Sequence, residues 1–161
     1  MNLNVFTDGG SINNPGRAAI AYIVSLNDKL LFKFSKRIGI NTNNFAEYSA
    51  LVGALEWVKN NTKLLYSQNN ACVRIPLRFL GNRRQESAQI TKVVCHSDSH
   101  LMVNQLNGLF KVKNSVIRDF IMKVRIVEQE VTIPILYKYI PREQNRFADS
   151  LVKKELLFLP A

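Results

Sequence analysis

Over the first 36 residues the apolar positions come in short runs separated by turn-forming residues. Leu3-Asn4-Val5-Phe6-Thr7 runs into Asp8-Gly9-Gly10-Ser11 and on to Asn14-Pro15-Gly16. Ala18 to Val24 is β-rich and apolar, and the polar turn Asn27-Asp28-Lys29 leads into Leu30-Leu31-Phe32-Lys33-Phe34. This pattern predicts three strands, the last two joined as a hairpin. The period then changes. Ala50, Leu51, Ala54, Leu55 and Val58 recur at helical spacing from Ala46 until Asn60-Asn61. Ile90 to Cys95 reads as a buried strand reaching Asp98, followed by a short helix from Ser99 to about Leu106 that stops at Asn107-Gly108. Val116, Ile117, Phe120, Ile121 and Val124 mark a longer helix ending before Thr132. Thr132 to Ile140 reads as the fifth strand, closed by Pro141, and a last helix from about Gln144 carries Phe147, Ala148, Leu151 and Val152 and stops at Pro160.

The predicted order is βββαβααβα. Strands joined by short turns form an antiparallel meander, and strands separated by helices add in parallel. A five-stranded mixed sheet of the α/β class, three antiparallel strands then two parallel, flanked by helices, accounts for both. The 161 residues show no repeat and no Gly/Ser linker, so a single domain over 1–161 is expected.

Composition narrows the function. Apolar residues at 47% exclude a disordered chain, and no apolar run reaches the roughly 18–20 residues of a membrane span. Met1-Asn2-Leu3-Asn4 lacks the basic-then-apolar form of a secretory signal, and two cysteines, Cys72 and Cys95, are too few for a disulfide framework. A cytoplasmic setting is the expectation. Twenty-two Lys and Arg against twelve Asp and Glu leave a charge of +10. Such a surface attracts polyanions. With no basic amphipathic helix in the pattern, nucleic acid leads over membrane as the partner.

Four of the twelve acids stand where a solvent-facing acid should not. Asp8 lies where the first strand meets its Gly-Gly turn, Glu47 falls on the apolar stripe of the first helix, Asp98 ends the fourth strand, and Asp149 sits in the first turns of the last helix. Each has an ordinary explanation. Asp8 can start a turn, Asn44-Phe45-Ala46-Glu47 fits a capping box, Asp98 can cap the next helix, and Asp149 suits the positive end of a helix dipole. Jointly they read differently, because the first and fourth strands are plausible neighbours and both helices must pack on their sheet. Four converging carboxylates repel one another unless divalent cations neutralise them, and all-oxygen donors select Mg²⁺ or Mn²⁺ over zinc.

Four blocks carry these acids in order: Phe6-Thr7-Asp8-Gly9-Gly10-Ser11 with Asn14-Pro15-Gly16; Thr42-Asn43-Asn44-Phe45-Ala46-Glu47; Ser97-Asp98-Ser99; and Pro141-Arg142-Glu143-Gln144-Asn145-Arg146-Phe147-Ala148-Asp149. Together, over residues 4 to about 155, they resemble type 1 ribonuclease H, in its archaeal-type branch. The resemblance implies a ribonuclease H-like fold and a metal-binding quartet of Asp8, Glu47, Asp98 and Asp149. It implies two divalent cations, Mg²⁺ or Mn²⁺, and hydrolysis of the RNA strand of an RNA–DNA hybrid to 5′-phosphate and 3′-hydroxyl products by a monomer. Some archaeal-type relatives also cut double-stranded RNA. In this reading Asp8 bridges the cations, Glu47 and Asp98 serve the water-activating side, and Asp149 the leaving-group side.

Substrate contacts follow from the same likeness. Gly10, Ser11, Asn13, Asn14, Asn43 and Asn44 match loop positions that touch the minor groove and the RNA 2′-hydroxyl, the handle that distinguishes RNA from DNA. The alternative for the asparagines is turn and cap chemistry. Thr42 and Asn114 resemble the pair that holds a DNA phosphate; the arginine of some relatives is Ile40 here, leaving Lys36 or Arg37 as substitutes. The loop before the last helix lacks the histidine of bacterial relatives. Arg142 takes that place or makes an ordinary phosphate contact.

Residues 67–89 depart from the family. Val73, Ile75, Leu77 and Phe79 alternate with Arg74, Pro76 and Arg78, predicting an added edge strand, followed by the basic turn Gly81-Asn82-Arg83-Arg84. The Asp98-to-Asp149 interval is too short for the basic helical protrusion of many relatives. Two readings of the insertion stand: a substitute basic surface through Arg74, Arg78, Arg83 and Arg84, or an edge strand that only covers apolar surface. Other signals are weaker. Cys95, His96 and His100 lack a fourth zinc ligand, Trp57 and the phenylalanines fall at core spacing, and Gly9-Gly10 matches no phosphate-cradling loop. Besides a hybrid endonuclease, the classes to separate are a non-catalytic nucleic-acid module, which would have lost an acid, and another nuclease or strand transferase on the same fold.

Overall fold

The computed structural model describes residues 1–67, 70–74 and 89–158, with backbone only for 63–67 and 70–74. The amino-terminal runs form β1 (Asn2–Ser11), β2 (Gly16–Leu26) and β3 (Lys29–Asn41), an antiparallel meander. The β2–β3 turn is two residues long, and both Asn27 and Asp28 take positive φ (48° and 62°), as a tight hairpin requires. β3 runs well past the predicted Phe34, because the edge position tolerates the exposed Lys33, Lys36 and Arg37 that interrupt its apolar pattern.

Helix α1 (Asn43–Asn61) follows, then β4 (Lys63–Ser67), β5 (Asn70–Arg74), β6 (Gln89–Ile90), β7 (Lys92–Ser97), α2 (His100–Leu106), α3 (Ser115–Val131), β8 (Ile135–Tyr139) and α4 (Arg146–Leu157). The main sheet has the order β3-β2-β1-β7-β8, with β1, β7 and β8 parallel. The mixed sheet and four helices are as expected.

Several boundaries differ. Thr132 is not in a strand: it caps α3 in the left-handed region (φ 64°), and β8 starts three residues later. The last helix is preceded by a separate 3-10 turn at Arg142–Gln144, because Pro141 holds extended backbone before it. The extra β-element starts earlier than residue 67. β4 and β5 pair antiparallel, β6 adds to β5, and the three form a second sheet. The predicted strand over 73–79 is therefore described only to Arg74. Arg78, Arg83 and Arg84 lie outside the described residues.

The core explains how the site is assembled. Tyr48, Leu51, Leu55, Val58 and the alanines of α1 are buried against Leu3, Val5, Tyr22 and Val24 on one sheet face. α3 packs on α1 through Phe120, whose ring meets Tyr48 and Phe45 at 5.8 and 5.0 Å. On the opposite face Val152 of α4 packs on Ala19 and Ala21. Small residues on β2 let a helix approach from each side, which brings both helix N-termini to the carboxyl end of β1. Burying each of the larger side chains contributes about 1.5–3 kcal/mol.

Candidate active site

Strand alternation decides where Asp8 points. Leu3, Val5, Thr7 and Gly9 of β1 face α1, so Asp8 and Gly10 face α4, in register with Ala21 and Ala19. The parallel pairing of β1 with β7 is recorded from Asn2↔Lys92 to Phe6↔His96. Beyond it, Thr7 O accepts from the Asn145 side chain (2.9 Å) and Ser97 O from Ile140 N (3.0 Å). β1 leads on to β2 on one side while β7 connects to β8 on the other. That is the switch point at which open α/β sheets place their ligand crevice, at the carboxyl ends of the strands.

Gly9 lets α1 reach this point. A Cβ there would stand 2.3 Å from the Ala46 carbonyl carbon and 2.4 Å from the Glu47 nitrogen. Glu47 is thereby carried beside β1. Its Oε2 accepts from Ser99 Oγ at 2.6 Å, and Ser99 also caps α2 by accepting from Met102 N. Two ordinary explanations fall here. The cap of α1 is Thr42, which accepts from Phe45 N, so Asn44 and Glu47 form no capping box. The cap of α2 is Ser99, not Asp98. Asp98 Oδ1 instead accepts from Asn145 Nδ2 at 3.0 Å. Asp149 lies one turn into α4 and is gripped by Lys153 (2.6 Å) and Arg142 (3.2 Å). Arg142 also reaches Asp98 at 4.0 Å.

The electrostatics record the convergence. Burial pushes the Asp8 carboxyl up to about 7, and the charges of Asp98, Asp149 and Glu47 push in the same direction. Burial also lifts Glu47 to about 7, against the Ser99 hydrogen bond and with the help of Asp98. Burial pulls Asp149 up too, but hydrogen bonds from Lys153 and Arg142 outweigh it and hold the group below the ordinary carboxylate value. The Arg142 guanidinium is held protonated more firmly by Asp149. Asp8 thus feels the other three acids, and Arg142, from a fifth element, feels Asp149, Asp98 and Asp8.

The flanking loops are tied to the same point. Ser11 N donates to Asn43 Oδ1 (2.7 Å) and Asn43 N to Asn14 Oδ1 (2.9 Å), so these two amide oxygens clasp the β1–β2 turn to the start of α1. Asn13 and Asn44 are exposed beside them. Thr42 and Asn114 cap α1 and α3 and line one cleft of about 730 Å³ together with Asn44, Gln105, Lys111 and Lys113. Neither proposed substitute for the missing arginine is among its lining residues. Arg37 donates to Glu155 O, and Lys36 lies over the Phe34 ring, because both sit farther back along β3. Lys111 and Lys113, from the α2–α3 loop, supply the cations beside Ile40. Ser99, Asn145, Lys153 and these two lysines are the residues that sequence reasoning missed. Ser99 and Asn145 stand inside motifs whose strongest signal in the sequence is their acids.

The model of the family described as RNase H matches residues 1–156. The chain belongs to the RNase H family. Its family and fold are those of ribonuclease H enzymes. LC11-RNase H1, isolated from compost by a metagenomic approach and solved in complex with an RNA/DNA hybrid, superposes with a TM-score of 0.72 at 30% identity, over 94% of each chain. RNase H1 from the archaeon Halobacterium salinarum shares the fold at TM-score 0.72 and 24% identity, covering 97% of this chain and 98% of that one. The bifunctional protein Rv2228c of Mycobacterium tuberculosis is 28% identical over 153 residues, 94% of this chain. The chain spans about a third (34%) of the length of the mycobacterial relatives it matches.

RNase H proteins generally use divalent metal ions. The donors here are carboxylate oxygens of mutually repelling acids, two of them pushed up to about 7, which suits hard cations. Among the described residues no three acids or imidazoles stand close enough to form a finished ligand cage. In this RNase H chain, amides, hydroxyls and cations of the protein engage Asp98, Glu47 and Asp149. The zinc reading has no support: Cys95 is buried on the core face, His96 stacks on Phe6 and meets Asn4, and His100 packs between Phe110 and Tyr139. Trp57 stacks on Phe32 in the core. No described helix is long and apolar enough to cross a membrane.

Proposed function

We propose that the chain is an endonuclease that hydrolyses the RNA strand of RNA–DNA hybrids, leaving 5′-phosphate and 3′-hydroxyl ends, with two Mg²⁺ or Mn²⁺ ions held by Asp8, Glu47, Asp98 and Asp149. The observation that carries this reading is the meeting of four acids, from β1, α1, the end of β7 and α4, at the switch point of an RNase H fold. The similarity to LC11-RNase H1, solved with a bound RNA/DNA hybrid, supports the substrate class. When bound, the cations neutralise the quartet and supply Lewis acidity for an attacking water and a leaving oxygen.

The chain's own groups do the rest. Glu47, close enough to Asp98 to feel its charge, would hold the cation on the water-activating side. Ser99 Oγ fixes one of its oxygens, leaving the other to act. Arg142, 71% exposed at its side chain and already reaching Asp98 and Asp149, meets the cleaved phosphate and accompanies it out. Asn14 and Asn43 spend their oxygens on the loop clasp, so their NH₂ groups, with Asn13, Asn44 and the backbone of Gly10 and Ser11, are what the RNA 2′-hydroxyl meets. The DNA strand seats a phosphate between Thr42 and Asn114, with Lys111 and Lys113 in place of the arginine of some relatives.

One gel tests the activity: hybrid, RNA duplex and DNA duplex, each with Mg²⁺ or Mn²⁺. The RNA strand of the hybrid is cut, the DNA duplex is not, and the RNA-duplex lane decides the wider archaeal-type range. Asp98→Asn keeps shape and hybrid binding but loses the anionic ligand, so its lane is blank. A folded Asp98→Asn enzyme with near-native turnover would remove Asp98 from the chemistry.

Binding is expected to fall steeply with salt, by about 10³-fold or more between 50 and 200 mM if six or more phosphates are contacted. In the reading of 67–89 as a substitute basic surface, Arg83→Ala with Arg84→Ala gives weaker binding and a shallower salt slope at unchanged melting temperature. Unchanged affinity reduces the insertion to packing.

A further inference from the structure

Asn145 makes contacts that a helix-start residue does not need. Its side chain lies in the split between β1 and β7, 2% exposed, and its Nδ2 donates both to Thr7 O (2.9 Å) and to Asp98 Oδ1 (3.0 Å). Both neighbours are acceptors, so the orientation of the amide is dictated by chemistry: the NH₂ must face them. The cost appears on the other side, where buried Oδ1 has no hydrogen-bond partner among the described residues. The backbone of the same residue accepts from Asp149 N at 3.1 Å, and its own N–H donates to Arg142 O at 3.0 Å. One asparagine therefore ties the strand that carries Asp8, the carboxylate of Asp98, the helix turn that carries Asp149, and the turn that carries Arg142.

Bridging the strand ends would need only the bond to Thr7 O, and the second bond of the same amide goes to the Asp98 carboxylate. We propose that Asn145 is a positioning residue for the divalent-cation site: its amide holds Asp98 Oδ1 toward the protein, so that Oδ2 is presented to the cation at a fixed angle and distance from Asp8. Groups that orient a ligand in this way typically govern metal affinity or activity by 10–100-fold. The inference rests on the reading of Asp98 as a metal ligand, and the test separates the two.

Mn²⁺ binding to the full chain, read from the loss of the free-ion electron paramagnetic resonance signal below the melting temperature of every variant, is compared for the unaltered protein, Asn145→Ala, Asp98→Asn and the double variant. Asn145→Ala is expected to bind Mn²⁺ about 10–100-fold more weakly. The double variant should bind no worse than Asp98→Asn alone, because Asn145 acts through Asp98. On hybrid, Asn145→Ala should lose kcat with KM changed little. If Asp98→Asn binds Mn²⁺ as well as the unaltered chain, the ligand reading fails. If it does not, while a folded Asn145→Ala does, only the role of Asn145 fails, and a lowered melting temperature with unchanged binding has the same meaning. Should Asn145→Ala not fold, the side-chain NH₂ resonances of Asn145 in the ¹⁵N-labelled unaltered protein decide. They should shift on titration with Mg²⁺ and saturate, and resonances unmoved at saturating Mg²⁺ overturn the proposal.

Discussion

At pH 8 in EDTA, Asp8→Asn is expected to melt about 5–10 °C above the unaltered chain while losing all cleavage of hybrid. The cause is the price of gathering acids in a buried place. Burial and the charges of Asp98, Asp149 and Glu47 raise Asp8 from an ordinary 3.8 to about 7 in the folded chain. A carboxyl whose folded value is raised favours the folded state fully below its unfolded value, and that contribution is lost as pH climbs through the folded value. A rise from 3.8 to about 7 corresponds to about 4 kcal/mol as a ceiling, and about 2–3 kcal/mol is expected after the neighbours relax. The amide carries no charge and is free of this penalty. The gain of Asp8→Asn should therefore grow from near zero at pH 4 to its full value at pH 8. Adding Mg²⁺ reverses the comparison, because the unaltered chain gains from ion binding and the variant gains less. Thermal melts at pH 4 and 8, with EDTA or with Mg²⁺, check all four corners. A variant that melts lower at pH 8 in EDTA would mean that Asp8 is held by favourable partners, not penalised by burial and like charges.

The same convergence explains how far the sequence was readable. Asp8, Glu47, Asp98 and Asp149 stood out because each broke a local rule of its element: an acid at a strand end, or on an inward helical stripe. Strand and helix periods were strong enough to put nine elements in order, and the order alone brings the first strand beside the fourth. What stayed hidden depends on distances no period reports. Thr7 and Asn145 are far apart in the chain, and their hydrogen bond exists only because β1 and β7 separate where α4 begins. Lys111 and Lys113 sit in a loop with no pattern, and they enter the Thr42–Asn114 cleft through the packing of α3 on α1. Lys63–Ser67 does not show as a strand in the sequence because five residues between a helix end and the polar run Gln68-Asn69-Asn70 hold too few alternations to register. Thr42 was read for phosphate contact and Asn44 for capping, and here neighbouring cap-forming residues compete: the helix begins at the residue whose extended backbone already points its oxygen at Phe45 N.

The steric dependence that bears most directly on the site is at Gly9. Substitution by alanine places a methyl carbon 2.3–2.5 Å from the Ala46 carbonyl carbon and oxygen and the Glu47 nitrogen. All three atoms are helix backbone, so no rotamer change makes room, and α1 must withdraw from β1 by about an ångström to restore ordinary contact. Withdrawal opens the packing of Ala46 and Ala50 on Ala18 and Ile20. Overpacking of this kind costs about 3 kcal/mol, here lowering the melting temperature by about 6–12 °C. It also moves Glu47 away from Asp8, and a misplacement of that size costs about 10²-fold in rate. The neighbouring position supplies the control. A Cβ on Gly10 meets only side-chain atoms, Val152 Cγ1 at 3.3 Å and Leu156 Cδ1 at 3.9 Å, which can shift. Gly10→Ala should therefore stay within about 1 kcal/mol of the unaltered chain. Gly9→Ala with unchanged melting and unchanged turnover would show that α1 does not rest on β1 at this residue, and that Glu47 reaches the site by another route.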